Sequence, residues 1–286
     1  MVPNSSNSLP LNADFVAIDF ETATRNNNSA CALGLAFVKD SIIVANPSWL
    51  IRPPQLYFDP AFIPIHGIQP KDVLDQPTFA ELWSSIEPYL NNQVLVAHNA
   101  QFDMNVLLGG LDHYRLPRPT LNYSCTLRIA RRTWPTWKQY NLAALGARHG
   151  IVFQHHNAGE DATVCAQIAL KAFSQYGVGN FDQLHEKLGF AYGKVFSEGH
   201  TPFGNLPLSI DFSGFGHWDI SIHTQVEQKS RIERAKTLPE LPLSVVAPTH
   251  ISGYQVTLDQ CSCPDFARRK LPCKHMYHLY LSSQQL

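Results

Sequence analysis

The chain has 286 residues, of which 44% are hydrophobic and 16% charged, and its formal net charge is −1 at pH 7. That balance fits a soluble globular protein with a substantial core, arranged as one large domain or two of unequal size. Near-neutrality excludes a field that steers the whole molecule toward nucleic acid, so any basic surface must be local.

Residues 1–12 are polar, rich in Ser, Asn and Pro, and read as a flexible tail. They lack the basic segment and apolar run of a signal peptide. No stretch approaches the length of a membrane span. A cytoplasmic location is expected, where thiols stay reduced and the six cysteines are core residues or metal ligands. A first apolar strand covers 15–20, and 31–39 and 42–51 read as two more, close enough for an antiparallel meander. Arg52-Pro53-Pro54 ends this run. An irregular stretch over 62–68 precedes an amphipathic helix over 78–90, with Thr78 and Glu81 spaced as a capping box. A short strand over 94–97 runs into His98-Asn99 and a helix reaching about 111. A strand over 121–126 and helices over 127–132 and 141–149 follow. A longer helix over 159–176 has its apolar residues at helical spacing. Strands followed by alternating strands and helices indicate an α/β layer domain with a mixed sheet. Beyond 176 the composition turns to Gly, Pro and Phe, read as an ordered connector. A charged helix over 227–238, a strand over 254–258, a Cys-rich turn and a helix over 273–281 complete the chain.

The first strand presents two acids, Asp19 and Glu21. Residues two apart in a strand share a face, so these carboxylates project side by side. Like charges placed together call for a cation between them, and hard oxygen ligands suit Mg²⁺ or Mn²⁺. Asp103 lies at the start of a helix just after a strand, the edge where α/β sites gather. In His155-His156-Asn157-Ala158-Gly159-Glu160-Asp161 a loop His precedes a first-turn Asp by five positions. A loop imidazole beside a metal-holding carboxylate can take a proton from water.

The order Asp19-x-Glu21-Thr22, His66-Gly67-Ile68, His98-Asn99-x-x-Phe102-Asp103 and His156-x4-Asp161-Ala162 resembles the DnaQ-like 3′→5′ exonucleases of the DEDDh subgroup, over residues 13–176. The resemblance implies an RNase H-like fold. It implies two metal ions held by Asp19, Glu21, Asp103 and Asp161, with Asp19 bridging both and His156 as general base. His155 is the runner-up base, one position out of step. The resemblance also places Phe20, Thr22 and His66 near the terminal nucleotide, whereas Phe102 is read as a core residue beside the site. Cys125-Thr126 departs from the frequent Asp-Thr of the family, at a position that is not a metal ligand there.

Residues 113–159 contain no acid but carry Arg115, Arg118, Arg128, Arg131, Arg132, Lys138 and Arg148, interleaved with Trp134, Trp137 and Tyr140. Cations bind phosphates and aromatics stack on unpaired bases, so Arg131, Arg132 and Trp134 are candidate substrate contacts. Near the end, Cys261-x-Cys263 and Cys273-x-His275 provide four ligands suited to one structural Zn²⁺, with His278 an alternative fourth. With Tyr254–Leu258 before and Pro264-Asp265-Phe266 between, this pattern resembles the SWIM zinc finger, a module linked to nucleic-acid or protein binding.

The expected organisation is a tail over 1–12, an exonuclease domain over 13–178, a Gly/Pro/aromatic connector over 179–226 and a zinc module over 227–286. The expected function is metal-dependent 3′→5′ exonuclease action on nucleic-acid 3′ ends, with DNA as the first substrate. The zinc module would assist nucleic-acid or partner binding. The rivals are an exoribonuclease on RNA or short oligoribonucleotides, and a catalytically silent nucleic-acid or protein adaptor.

Overall fold

The computed structural model describes residues 9–205, 212, 214–235, 237–239, 241 and 247–283. Contacts divide the chain into two compact units, Met1–Pro207 and Leu208–Leu286. Most of the expected tail, residues 1–8, lies outside the described residues. Leu9 already packs against the core of the first unit.

The first unit opens with β1 (Phe15–Thr22), β2 (Ala30–Lys39), β3 (Ile42–Ala45) and β4 (Ser48–Leu50). The single strand expected over 42–51 is thus two. Pro47, which has no N–H to give a ladder, lies between them, and its carbonyl accepts from Leu35 N at 2.9 Å. A one-turn helix, α1 (Ile63–His66), occupies the stretch read as irregular. In α2 (Phe79–Leu90) the capping box is formed: Thr78 Oγ1 accepts from Glu81 N and Glu81 Oε2 accepts from Thr78 N. Then come β5 (Val94–Ala97), α3 (Gln101–Tyr114), β6 (Leu121–Cys125), α4 (Thr126–Thr133), α5 (Leu142–Arg148) and α6 (Ala158–Tyr176). The stretch from 179, expected as a connector, begins instead with α7 (Phe181–Leu188), β7 (Phe190–Ala191), β8 (Gly193–Phe196), β9 (Gly199–Thr201) and β10 (Gly204–Asn205). The reason is apolar burial: Phe181, Phe190, Val195 and Phe203 join the main core.

The main sheet runs β3-β2-β1-β5-β6-β8-β9, with β4 paired to β2. β1 is antiparallel to β2 and parallel to β5, so the sheet is mixed, with helices on its faces, as expected. Both faces of β1 are covered. Phe15 on the odd face meets Phe173 of α6 edge-on, whereas Phe20 on the even face lies 6.5 Å from Phe79 of α2. Asp19 and Glu21 therefore share the face that α6 covers. Opposite Asp19 across the ladder is Gly34. A Cβ at Gly34 would lie 1.9 Å from the carbonyl oxygen of Ala158, so the missing side chain is what lets the first turn of α6 settle on the sheet.

The second unit contains α8 (Ile220–Thr224), α9 (Val226–Ala235), a hairpin of β11 (Thr249–Ile251) and β12 (Tyr254–Val256), α10 (Pro264–Arg269) and α11 (Lys274–Ser283). Phe212 and Phe215, read as connector residues, are in its core with Ile232, Val256, Met276 and Tyr277.

Filling the Gly34 gap forces α6 off the sheet. Gly34→Val is expected to destabilise the first unit by about 3 kcal/mol. Urea unfolding followed by tryptophan emission checks this, since Trp49, Trp83, Trp134 and Trp137 all belong to that unit.

Candidate active site

β1 extends past the end of its parallel partner. Ala17 pairs with Val96 and β5 stops at Ala97, so the N–H of Phe20 has no ladder acceptor from β5. Asp103, in the first turn of α3, supplies one: Phe20 N donates to Asp103 Oδ1 at 3.1 Å. On the other side, Asn157 caps α6 through Gly159 N and Glu160 N, and Asp161 follows in the first turn. Asp161 Oδ2 accepts from the backbone N–H of His156 at 3.0 Å. One oxygen each of Asp19, Glu21 and Asp161 lie within 4.8 Å of one another. Asp103 and Asp161 each keep a second oxygen, Oδ2 and Oδ1 respectively, that is buried without a partner.

Charge accumulates here uncompensated. Among the described residues no Lys or Arg pairs with any of the four acids; only His155 and His156 approach, at 3.9 Å from Asp161 and 3.7 Å from Glu21. Burial, then Asp103, Asp161 and Glu21, pushes Asp19 well above the usual carboxylate range. Burial, then Asp161 and Asp103, raises Glu21 to about 8. Burial raises Asp103 to about 8, against the lowering effect of the Phe20 N–H. Burial raises Asp161 to about 6. Orphaned buried oxygens among mutually repelling acids fit divalent cations.

Four histidines line this cleft of about 300 Å³, with Phe20, Thr22, Phe62, Ile65, Phe102, Asn141 and Leu142. Two are committed. The Nε2–H of His66 donates to the Thr22 carbonyl at 3.3 Å and its Nδ1 accepts from Ile68 N. The Nε2–H of His98 donates to the Tyr140 carbonyl at 2.9 Å and its Nδ1 accepts from Thr126 Oγ1. A carbonyl only accepts, so each is a neutral Nε2–H tautomer. Burial agrees, lowering His66 and taking His98 to about 4. His156 has a left-handed backbone (φ 66°) and its ring nitrogens are uncommitted. Burial, then His155, lowers its pKa, so it stands neutral beside Glu21.

Phe102 is a correction. It is 42% exposed and lines the cleft rather than packing in the core, whereas its neighbour Asp103 on α3 is buried. Ile65, 48% exposed, stands on α1. Ile65 was not singled out, nor were Asn141 and Leu142 at the start of α5, which follow Tyr140, the residue whose carbonyl accepts from His98. Trp134 stacks on Trp137 at 4.8 Å and packs with Leu142 and Leu145; it does not itself line the cleft. Arg132 donates to the carbonyl of Leu188 and lies over the Phe190 ring, holding the α7–β7 turn. Arg131 is exposed and makes no side-chain hydrogen bond or ion pair among the described residues.

In the second unit Cys261, Cys263, Cys273 and His275 are all buried with their ligand atoms within 4.8 Å of one another. His275 Nδ1 lies 3.8 Å from both Cys261 Sγ and Cys273 Sγ. This is a Cys₃His set for tetrahedral zinc. His278, the alternative ligand, instead donates from Nε2 to the Pro239 carbonyl. Of the basic residues around it, Arg269 is bound to Asp265, which Arg231 also engages, leaving Arg268 and Lys270 exposed.

Residues 16–169 match the sequence pattern of the exonuclease family. The chain belongs to that family. Residues 251–283 match the SWIM zinc finger, so the second unit carries one. The 3′-5′ exonuclease DinG of Staphylococcus epidermidis is 28% identical over 176 residues, which is 60% of this chain and 19% of that protein. Its Staphylococcus aureus USA300 counterpart is 27% identical over 213 residues, 71% of this chain and 24% of that protein. The chain therefore spans about a fifth to a quarter of these relatives' length. Exonuclease X, solved in complex with 5′ overhanging duplex DNA, is 28% identical with a TM-score of 0.50, covering 61% of this chain and 99% of that one. The nuclease domain of 3′hExo, a DEDDh family member bound to rAMP, shares the fold at 17% identity and the same TM-score. The fold of the first unit is the expected RNase H-like one. Exonucleases of this family use divalent metals, and the SWIM finger binds zinc. Among the described residues no helix is long and apolar enough to cross a membrane.

The raised acids make the metal-free chain pH-sensitive in a definite sense. Above their ordinary values of 3.8 and 4.5, and up to about 8, Asp103 and Glu21 keep protons in the folded chain that the unfolded chain has lost. Stability is thus fullest in mild acid and declines as pH rises toward about 8. Thermal melts in chelator should show that decline, and Mg²⁺ or Mn²⁺ should raise the melting temperature more at pH 8 than at pH 5.5. A flat profile in chelator would contradict the electrostatics.

Proposed function

We propose that this chain is a metal-dependent 3′→5′ exonuclease that hydrolyses the terminal phosphodiester of a nucleic-acid 3′ end, with DNA as its first substrate. The observation that carries this reading is the meeting of four acids from three separate segments, Asp19 half-buried and the others buried, none with a Lys or Arg partner among the described residues, beside a neutral imidazole. Asp19, Glu21, Asp103 and Asp161 would hold the divalent ions. Such ions, when bound, lower the pKa of water and neutralise charge on the leaving oxygen. His156, the one histidine opposite Glu21 with free ring nitrogens, takes the proton of the attacking water. His66 and Thr22 hold the end of β1 against α1. Phe20, Thr22 and His66 thereby border the terminal nucleotide, with Phe102 and Ile65 offering apolar walls to its base. Arg131, like Arg115 and Lys138 exposed and without a side-chain hydrogen bond or ion pair among the described residues, is offered to a phosphate.

DNA as substrate is supported by exonuclease X, the 28%-identical structure that contains it. The second reading keeps the same site on RNA or short oligoribonucleotides, since the acids themselves ignore the sugar. The intact acid set disfavours a silent adaptor. In this proposal catalysis belongs to the first unit, and the SWIM module of the second holds the strand or a protein partner. A reducing, cytoplasmic setting suits three zinc-spaced thiols and three buried free ones, Cys31, Cys125 and Cys165.

Labelled single-stranded DNA, duplex DNA and RNA, each with and without Mg²⁺ or Mn²⁺, decide the matter. Shortening from the 3′ end only with metal is expected, and Asp19→Ala should lower turnover by about a thousandfold while circular dichroism stays unchanged. Normal cleavage by Asp19→Ala would falsify the mechanism. Separately, Cys273→Ser should lose about one zinc per chain by elemental analysis and raise KM more than it lowers kcat. Equal zinc content in variant and parent counts against the ligand assignment.

A further inference from the structure

The mechanism uses His156 but leaves its neighbour His155 without a task. Consecutive side chains normally diverge. Here the left-handed backbone at His156 turns both rings to one side, and their centroids lie 3.8 Å apart. His155 Nε2 stands 3.9 Å from Asp161 Oδ2. One ligand atom each of His155, His156 and Asp161 lie within 4.8 Å of one another, a second donor set beside that of Asp19, Glu21 and Asp161.

The two sets differ in chemistry and share a member. Asp19, Glu21 and Asp161 offer only carboxylate oxygen, which suits Mg²⁺ and Mn²⁺. His155, His156 and Asp161 offer two imidazole nitrogens and one oxygen, the kind of set that three-ligand zinc sites use. The other cleft histidines cannot substitute. His66 and His98 have both nitrogens engaged, each donating to a carbonyl and accepting from a second partner. The ring nitrogens of His155 and His156 make no hydrogen bond among the described residues. Their side chains are 36% and 39% exposed, so a hydrated ion reaches them. Asp161, by contrast, is buried and its Oδ1 has no partner.

We propose that His155, His156 and Asp161 form a competing site for a borderline cation such as Zn²⁺, whose occupation silences the cleft. Filling it ties up the imidazole that receives the water's proton and draws Asp161 away from the oxygen set. The silencing rests on the exonuclease reading above; the site itself does not.

Zinc uptake by the full chain, measured by calorimetry and elemental analysis without Mg²⁺, tests the site. The parent should hold about two zinc ions, one at the SWIM cysteines and one here, His155→Gln about one, and Asp19→Ala about two. A second zinc that persists in His155→Gln but vanishes in Asp19→Ala belongs to the oxygen set and overturns the proposal. So does a parent that takes up only one. In Mg²⁺-supported cleavage, His155→Gln should need at least about tenfold more zinc than the parent for half-inhibition. Equal sensitivity overturns the silencing. A chain that never cleaves with Mg²⁺ refutes the exonuclease reading instead, and the uptake measurement still decides the site.

Discussion

The structure depends on tolerating concentrated negative charge at the end of one strand. Asp19 and Glu21 lie on the face that α6 covers, Asp103 is held to the same strand by Phe20 N–H, and Asp161 arrives in the first turn of the covering helix. Nothing in the apolar core requires four acids there. Each is raised by burial and also by at least one neighbouring carboxylate, so the metal-free assembly is electrostatically frustrated. Rigid elements hold it together. β1 is paired on both sides, and the Gly34 gap lets α6 approach to backbone contact. A site strained in this way is ready for cations, because relief of repulsion adds to coordination.

The cleft histidines fall into two classes by what their nitrogens already do. His66 and His98 are tied to carbonyls, so each fastens a wall: His66 joins α1 to β1, and His98 joins the loop before α5 to the end of β5. Protonating either would cost a buried charge and the hydrogen bond that its Nδ1 accepts. His155 and His156 have no such ties and differ only in which acid they face. His156 is nearer Glu21, His155 nearer Asp161. The division of labour follows from hydrogen-bond accounting rather than from residue type, since all four are histidines in one pocket.

Most of the site was legible in the sequence because its chemistry is local. Asp19-x-Glu21 declares itself by strand alternation, Asp161 by its place in the first turn of a periodic helix five positions after a loop His, and the zinc set by thiol spacing. What could not be read depends on distant contacts. Trp134 looks like a stacking platform until Trp137 and His149 are found against it. Arg132 looks free until Leu188 and Phe190 arrive from beyond the longest helix. Phe102 looks buried because it is aromatic, yet the face it occupies on α3 opens to the cleft. The same limit hid the strands after 190, whose short pairings with β6 and with one another carry no periodicity of their own.

The two units treat metal in opposite ways. In the first, the core of aliphatic and aromatic side chains is complete without the acids, and cations only relieve a local conflict. In the second, Cys261, Cys263 and Cys273 are themselves members of the core, packed with Val256, Met276 and Tyr277. Ligand set and hydrophobic core are there one structure, as expected of a unit too small to bury much else. Burial raises the Cys261 and Cys273 thiols, so zinc must displace protons to bind. Rising pH therefore strengthens the metal-loaded second unit while it weakens the metal-free first one. A single pH optimum for the whole chain is then a compromise between thiols that must lose protons and acids that the fold prefers to keep protonated until a cation replaces the proton.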